Sequence, residues 1–217
     1  MTAREIITTA FGLLGTTALG ATPESDEMDL GLTHLNWMLK TWQAIGLCNQ
    51  WRVESITLNW LAATPSATLT TNYLDLTSVR YRNASNIDID LTHLSLEEFA
   101  SIPNKTTAGV PNSYAIRKTA STIELNLWPV SASAITIAAN AARVIEDATV
   151  LDDPLDVPQE WTETVFYCLA ARLIAPLRVH ISDPNGSTLI RERAESLYDT
   201  MKKFDRETAS IFFMPAD

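Results

Sequence analysis

Apolar positions recur along this chain at two different periods, and the period changes twice. Near the start, Ile6, Ile7, Ala10, Phe11 and Leu14 fall three to four residues apart, which places them on one face of a helix. Thr2 stands at the N-cap and Glu5 three residues later completes a capping box, while Gly15 predicts the stop. A second helix is predicted from Thr22-Pro23-Glu24, where the threonine caps, the proline takes the first helical position and the carboxylate meets the positive end of the dipole. Its stripe is Met28, Leu32, Leu35, Leu39 and Trp42, with Gly46 as terminator. Leu30 and Trp37 lie off that stripe, so a second face is expected to be covered as well, by another helix of the chain or by a neighbouring subunit.

From about residue 52 the period falls to two, as across 55–60, and the side chains alternate between the faces of a strand. Further strands are predicted at 68–76, 86–91, 113–117, 122–127 and 134–139, separated by Pro, Asn, Ser and Gly positions. A small antiparallel sheet or sandwich accommodates them. Within this region Ser95 and Glu98 form another capping box, opening a short helix through Phe99 and Ile102 that ends before Pro103, and 104–111 reads as an exposed loop. After an acidic, proline-containing joint at 146–158, helical spacing returns with Trp161, Val165, Leu169 and Leu173 up to Pro176. A last helix, introduced by Asp183-Pro184 or Ser187, carries Ile190, Ala194, Leu197, Met201 and Phe204. The predicted class is therefore α+β: a helical bundle formed by the N- and C-terminal segments, 1–50 and 151–217, with a small antiparallel β-domain, 51–150, inserted between them.

Composition narrows the function. With 46% apolar and 19% charged residues the chain can build a core. Its net charge of −10 argues against a protein that wraps phosphate, which needs clustered Lys and Arg. An acidic wall would keep a passing polyanion mobile, or the charge simply keeps the protein in solution. The N-terminus lacks the basic and then unbroken apolar pattern of a signal peptide, and no apolar run approaches the roughly 20 residues that span a bilayer, so a soluble, unsecreted protein is expected.

Candidate chemistry is sparse. Cys48 and Cys168 form no CxxC, and His34, His93 and His180 lack a helical partner or acidic neighbour, so no metal, cofactor or redox site is expected. Asp88 and Asp90 share a strand face that reads as solvated. Asp152, Asp153, Asp156 and Glu160 would make a carboxylate pair for peptidoglycan hydrolysis only with a raised pKa, and helix capping explains them more simply. Trp51, Trp60 and Trp128 offer rings for a glycan-binding module, against a reading as core. No nucleophile elbow, phosphate loop or HExxH occurs, and the chain is not expected to be an enzyme. Ile211, Phe212, Phe213 and Met214 put apolar bulk where a polar terminus is usual, and are expected to bind a partner surface or pack on their own domain.

The order of these parts resembles a known family. Ile6, Ala10, Leu14 and Gly15, then Leu35-Asn36-Trp37-Met38-Leu39 before Trp42, are similar to the opening of the head-to-tail adaptors of short-tailed bacteriophages, also called tail accessory factors or packaged-DNA stabilisation proteins. Gly109-Val110-Pro111 and Tyr114 leading to Leu125-Asn126-Leu127-Trp128-Pro129 resemble a middle motif of that family, and Leu169-Ala170-Ala171 to Ala175-Pro176 a later one. The match is looser at 71–76. The resemblance implies a ring of about twelve copies, closed by heterologous contacts. It also implies binding to the portal protein, a DNA channel extended through the lumen without sequence-specific contacts, retention of the packaged genome, and a platform for the tail nozzle and the tail fibres or spikes. Such a protein would reside at the portal vertex of the virion, and in the host cytoplasm during assembly.

Overall fold

Local capping decides where the helices begin. In the computed structural model, which describes residues 1–18, 21–46, 51–70, 72–83, 85–119 and 122–204, these are α1 (Ala3–Leu13), α2 (Ser25–Ala44), α3 (Leu96–Ser101), α4 (Thr162–Leu173), α5 (Val179–Ser182) and α6 (Pro184–Phe204). The strands are β1 (Val53–Trp60), β2 (Ser66–Thr70), β3 (Tyr73–Arg82), β4 (Asp88–Asp90), β5 (Thr92–His93), β6 (Ser113–Lys118), β7 (Thr122–Trp128) and β8 (Ile135–Arg143). The protein is thus mixed α+β, and it divides into two units, Met1–Trp51 with Ile145–Asp217, and Arg52–Val144.

In the helical unit, α1 opens on the expected box: the Glu5 N–H donates to Thr2 Oγ1 at 3.3 Å and the Thr2 N–H to the Glu5 carboxylate at 2.9 Å. Gly15 sits at φ +66°, where glycine avoids the Cβ penalty. The start of α2 differs from the sequence expectation. Glu24 rather than Thr22 is the N-cap, because its N–H donates to the Glu27 carboxylate at 3.0 Å and so begins the helix at Ser25. Met28, Leu35, Leu39 and Trp42 are buried as the stripe requires, with Met38 buried and Leu32 only half-buried. Trp161, in the turn just ahead of α4, and the α4 positions Val165, Leu169 and Leu173 complete this core, and the Trp42 and Trp161 rings lie 5.7 Å apart. The short α5 was not anticipated; it is entered through Arg178 at φ +56°, a left-handed residue that no sequence pattern marks.

The acidic joint is not a free linker. Ile145 and Ala148 are buried in the helical core. Lys40 Nζ donates to Ile145 O at 2.6 Å and the Ile145 N–H to Gln43 Oε1 at 2.8 Å, while the Asn36 amide bonds both the carbonyl and the N–H of Ala148 at 2.9 and 3.1 Å. Farther on, the Arg4 N–H donates to Leu151 O at 2.7 Å and the Ala3 N–H to Asp153 O at 3.1 Å. The stretch is laced first along α2 and then onto the start of α1.

In the other unit, two four-stranded sheets, ordered β1-β8-β3-β4 and β2-β7-β6-β5, share one core that includes Trp60, Leu76, Val79, Leu125, Leu127 and Ile137. The single strand expected over 68–76 is two strands in different sheets. Leu69 and Leu76 both point into the common core, so the alternation alone hid the crossing between them. The strand expected over 134–139 continues to Arg143, because β8 is central and its small Ala139 and Ala141 pack beneath β1 and β3. One pair, β5 with β6, is parallel, which departs from the all-antiparallel expectation.

Gly31 marks the closest approach of α1 and α2: a Cβ there would stand 2.5 Å from Ile7 Cγ2, and Ile7 is fully buried and β-branched. Gly31→Val is expected to destabilise the protein by about 1–3 kcal/mol through overpacking. Gly12→Ala, where a Cβ meets nothing within 4 Å, is expected to leave stability unchanged or raise it slightly. Urea unfolding of the two variants beside the parent checks both.

Candidate interaction surface

The expected partner-binding residues, Ile211, Phe212, Phe213 and Met214, lie outside the described residues, as does Cys48. On the helical unit, large apolar side chains stand outside the core: Trp37 is 57% exposed, Ile181 70%, Leu189 67% and Phe204 64%, with Ile45 and Val150 also exposed. Trp37 projects from the middle of α2 between Thr33 and Thr41, one turn to either side. The edge of His34 meets its ring at a centroid distance of 5.3 Å. Burial, and then the nearby Arg172 charge, hold His34 below its ordinary pKa. The two residues off the α2 stripe thus part company: Leu30 is partly buried against the core of its own chain, and Trp37 is exposed.

A second apolar feature lies between α4 and α6. Cys168, Ala171, Arg191, Ala194, Glu195 and Tyr198 line a groove of about 190 Å³. Cys168 donates a long hydrogen bond to Ala194 O, Sγ to O 3.7 Å, and burial pushes its thiol up to about 12. At neutral pH it is a small apolar wall rather than a nucleophile. The Tyr198 ring lies 6.0 Å from Trp42 and ties one side of the groove to the core.

Charge separates with the units. Of the 26 acidic and 16 basic residues, 19 and 9 belong to Met1–Trp51 with Ile145–Asp217, a net −10, whereas Arg52–Val144 holds 7 and 7 and is neutral. The entire excess of negative charge therefore belongs to the unit that also exposes Trp37, Ile181 and Leu189.

Of the carboxylates considered as an acid and base pair, the three aspartates have structural partners, while Glu160 stands exposed ahead of α4. Asp152 pairs with Arg4 at 2.7 Å. Asp153 accepts from the Thr149 N–H and hydroxyl and from the Val150 N–H, all at 2.8–2.9 Å, and Asp156 accepts from the Glu146 N–H at 3.0 Å. The guanidinium holds Asp152, and the backbone and hydroxyl donors hold Asp153, below the usual carboxylate range, opposite to what a general acid needs. Asp88 is likewise held down by its bidentate pair with Arg82, at 2.6 and 2.9 Å, and Asp90 is registered opposite Arg80. Among the described residues no group of three or more His, Cys, Asp or Glu is placed to hold a metal ion.

Trp60 is 2% exposed with its Nε1 donating to Thr64 O at 2.7 Å, so it offers no face to a sugar. Trp128 donates to Asn104 O at 3.0 Å, and Trp51 packs partly against the helical core. His93 stacks on Tyr114, and His180 stands exposed in α5. Among the described residues no helix is long and apolar enough to cross a membrane. No family model matches the chain, and no curated protein matches it in sequence.

The depressed carboxylates set a pH response. Asp88, Asp152, Asp153 and Glu98 have lower folded than unfolded pKa values, so the stability they contribute is complete above their ordinary values of 3.8 to 4.5 and is lost as pH falls through the folded ones. The urea midpoint is therefore expected to fall as pH drops below about 4.5. In Asp153→Asn the midpoint should start lower at pH 6 and decline less between pH 6 and pH 3, which a titration of urea midpoints measures.

Proposed function

We propose that this protein is a structural connector of a bacteriophage virion, a head-to-tail adaptor that assembles as a ring beneath the portal. The observation that carries the reading is the apolar surface of the helical unit, with Trp37, Ile181 and Leu189 more than half exposed on one copy. Large apolar side chains left exposed on one copy are what a partner surface would cover. The arrangement of parts inferred from the resemblance, a helical bundle from both ends of the chain with an inserted β-domain, agrees with it. In this reading the helical units form the ring through heterologous contacts, and the ring presents a platform to the tail nozzle and the fibres or spikes. The ring extends the DNA channel, and its acidic residues leave the packaged genome free to slide, because they give phosphate no cationic partner. The role is mechanical, without catalysis or cofactor.

The charge distribution gives this assembly a salt dependence. Copies that each carry −10 repel one another, and screening shortens that repulsion to roughly 3 Å at 1 M salt against about 10 Å at 0.1 M. Self-association, or attachment to the portal, is expected to strengthen as salt rises and to weaken in Trp37→Glu. Native mass spectrometry of the chain with and without its portal tests the proposal. Closed rings or portal-bound copies are expected, and a subunit that stays monomeric and ignores the portal at every salt concentration overturns it. Truncation after Glu207 is expected to lower portal affinity by about tenfold or more, the equivalent of losing one buried aromatic anchor. Unchanged affinity would remove the apolar terminus from the interface while leaving the ring intact.

A further inference from the structure

We propose that the free edge of β1 is a self-association surface: in the free protein β1 pairs antiparallel with β1 of a second copy, joining the two β1-β8-β3-β4 sheets into one. The backbone of β1 supplies the first support. The Arg143 N–H donates to Arg52 O, so in the unbroken register that follows, the even-numbered residues of β1 turn their N–H and C=O groups toward β8. Val53, Ser55, Thr57 and Asn59 turn theirs the other way, to the edge that no strand of the sheet occupies. All four residues are exposed, and among the described residues nothing bonds to their outward backbone groups.

The second support is what this edge lacks. A long open strand is a template for another chain, and edges are usually blunted by shortness, charge, proline or a bulge. β4 is three residues long and carries Asp88 and Asp90, β5 is two residues long, and β2 is five residues long and follows directly on Pro65. β1 runs for eight residues in uninterrupted register without proline or lysine, and its one charge, Glu54, is paired with Arg143 at 3.1 Å. Ile56 and Leu58 pack against the core of this unit but stay only half-buried, so an added strand would also cover apolar surface.

A second copy of β1 is the occupant because the strand complements itself. Centred on Ile56, the two-fold register sets Ser55 opposite Thr57, Val53 opposite Asn59 and Glu54 opposite Leu58. Ile56 and Leu58 of both copies then share the core side, the hydroxyls and amides share the other, and the two Glu54 carboxylates do not meet. The outward groups of the paired strands form roughly eight hydrogen bonds. The unit that carries β1 holds seven charges of each sign, so the copies meet there without net repulsion. Two short strands make a small interface, and the dimer is expected to be weak, with a Kd of about 10–100 µM. The pairing does not rest on the connector reading, which places its contacts on the helical unit.

The test uses the isolated full chain carrying Trp37→Glu, so that contacts of the helical unit are weakened, in about 0.5 M salt to screen its net charge. Sedimentation velocity from about 5 to about 500 µM is expected to show a monomer giving way to a dimer. Adding Thr57→Pro should abolish the dimer with little change in the urea midpoint, because the N–H it removes points away from β8. A chain that stays monomeric throughout overturns the proposal, and so does a dimer that survives Thr57→Pro. Should that variant fail to fold, Thr57→Lys, which brings like charges together across the two-fold axis, takes its place with the same expected loss. Amide exchange followed residue by residue by NMR locates the contact. The N–H groups of Val53, Ser55, Thr57 and Asn59 should exchange about tenfold or more slowly in the dimer than in the monomer, whereas those of Glu54, Ile56 and Leu58 are protected in both. No added protection at the four outward amides removes β1 from the interface and overturns the proposal.

Discussion

The helical unit exists only because the chain returns to it, and a short set of hydrogen bonds holds the returning segment. Ile145 is fixed to Lys40 and Gln43, Ala148 to Asn36, and Leu151 and Asp153 to the first turn of α1. Closing so long an excursion costs entropy, although the cost grows only slowly with length. The β unit reduces it further by bringing its own ends together. β1 and β8, its first and last strands, are neighbours in register from Val53 with Ala142 to Trp60 with Ile135, and the Arg143 N–H donates to Arg52 O at 2.8 Å. Once that sheet forms, the chain leaves the β unit beside the place it entered. The residues of 145–153 then need only a local search to find α2 and α1.

This constraint also explains why the acidic stretch is built as it is. Its carboxylates serve backbone geometry: Asp153 gathers three donors from Thr149 and Val150, Asp152 meets Arg4, and Asp156 receives Glu146. The bonds of Asp153 and Asp156 shape turns in the segment while Ile145 and Ala148 stay in the core, and the Asp152 pair fastens it to α1. Short polar side chains that bond nearby backbone are suited to that task. An acid cluster in a sequence suggests hydrolysis as readily as it suggests turns, and what separates the two is the direction of the pKa shift, which here is downward.

Much of the fold was legible because it rests on local rules. The capping boxes at Thr2 and Ser95, the stripes of α2 and α4 and the stop at Gly15 depend on neighbours a few residues apart. What escaped reading depends on partners far away in sequence. The crossing between β2 and β3 was invisible because Leu69 and Leu76 serve one core from opposite sheets, and the end of β8 because alanines gain their strand preference only from the strands on either side. The left-handed Arg178 before α5 has no sequence mark at all. The same division holds for the candidate surfaces. Trp37 could be singled out as lying off the stripe, but not that Leu30 would be covered and Trp37 left open. The groove is formed by the pairing of α4 with α6, which no periodicity reveals.

Two opposing terms meet on the helical unit. Its apolar side chains favour association, and its net charge of −10 opposes it. Apolar burial acts at contact and in proportion to area, whereas repulsion between exposed charges acts over a Debye length and fades with salt. Loose or misaligned encounters bring the charges close without burying much surface, so they are penalised. Only an arrangement that covers large side chains such as Trp37 gains enough to overcome the repulsion. The neutrality of the β unit, with seven charges of each sign, means that it adds no comparable net repulsion. In the proposed association, the attraction of the exposed Trp37, Ile181 and Leu189 and the net repulsion would therefore both arise from the helical unit.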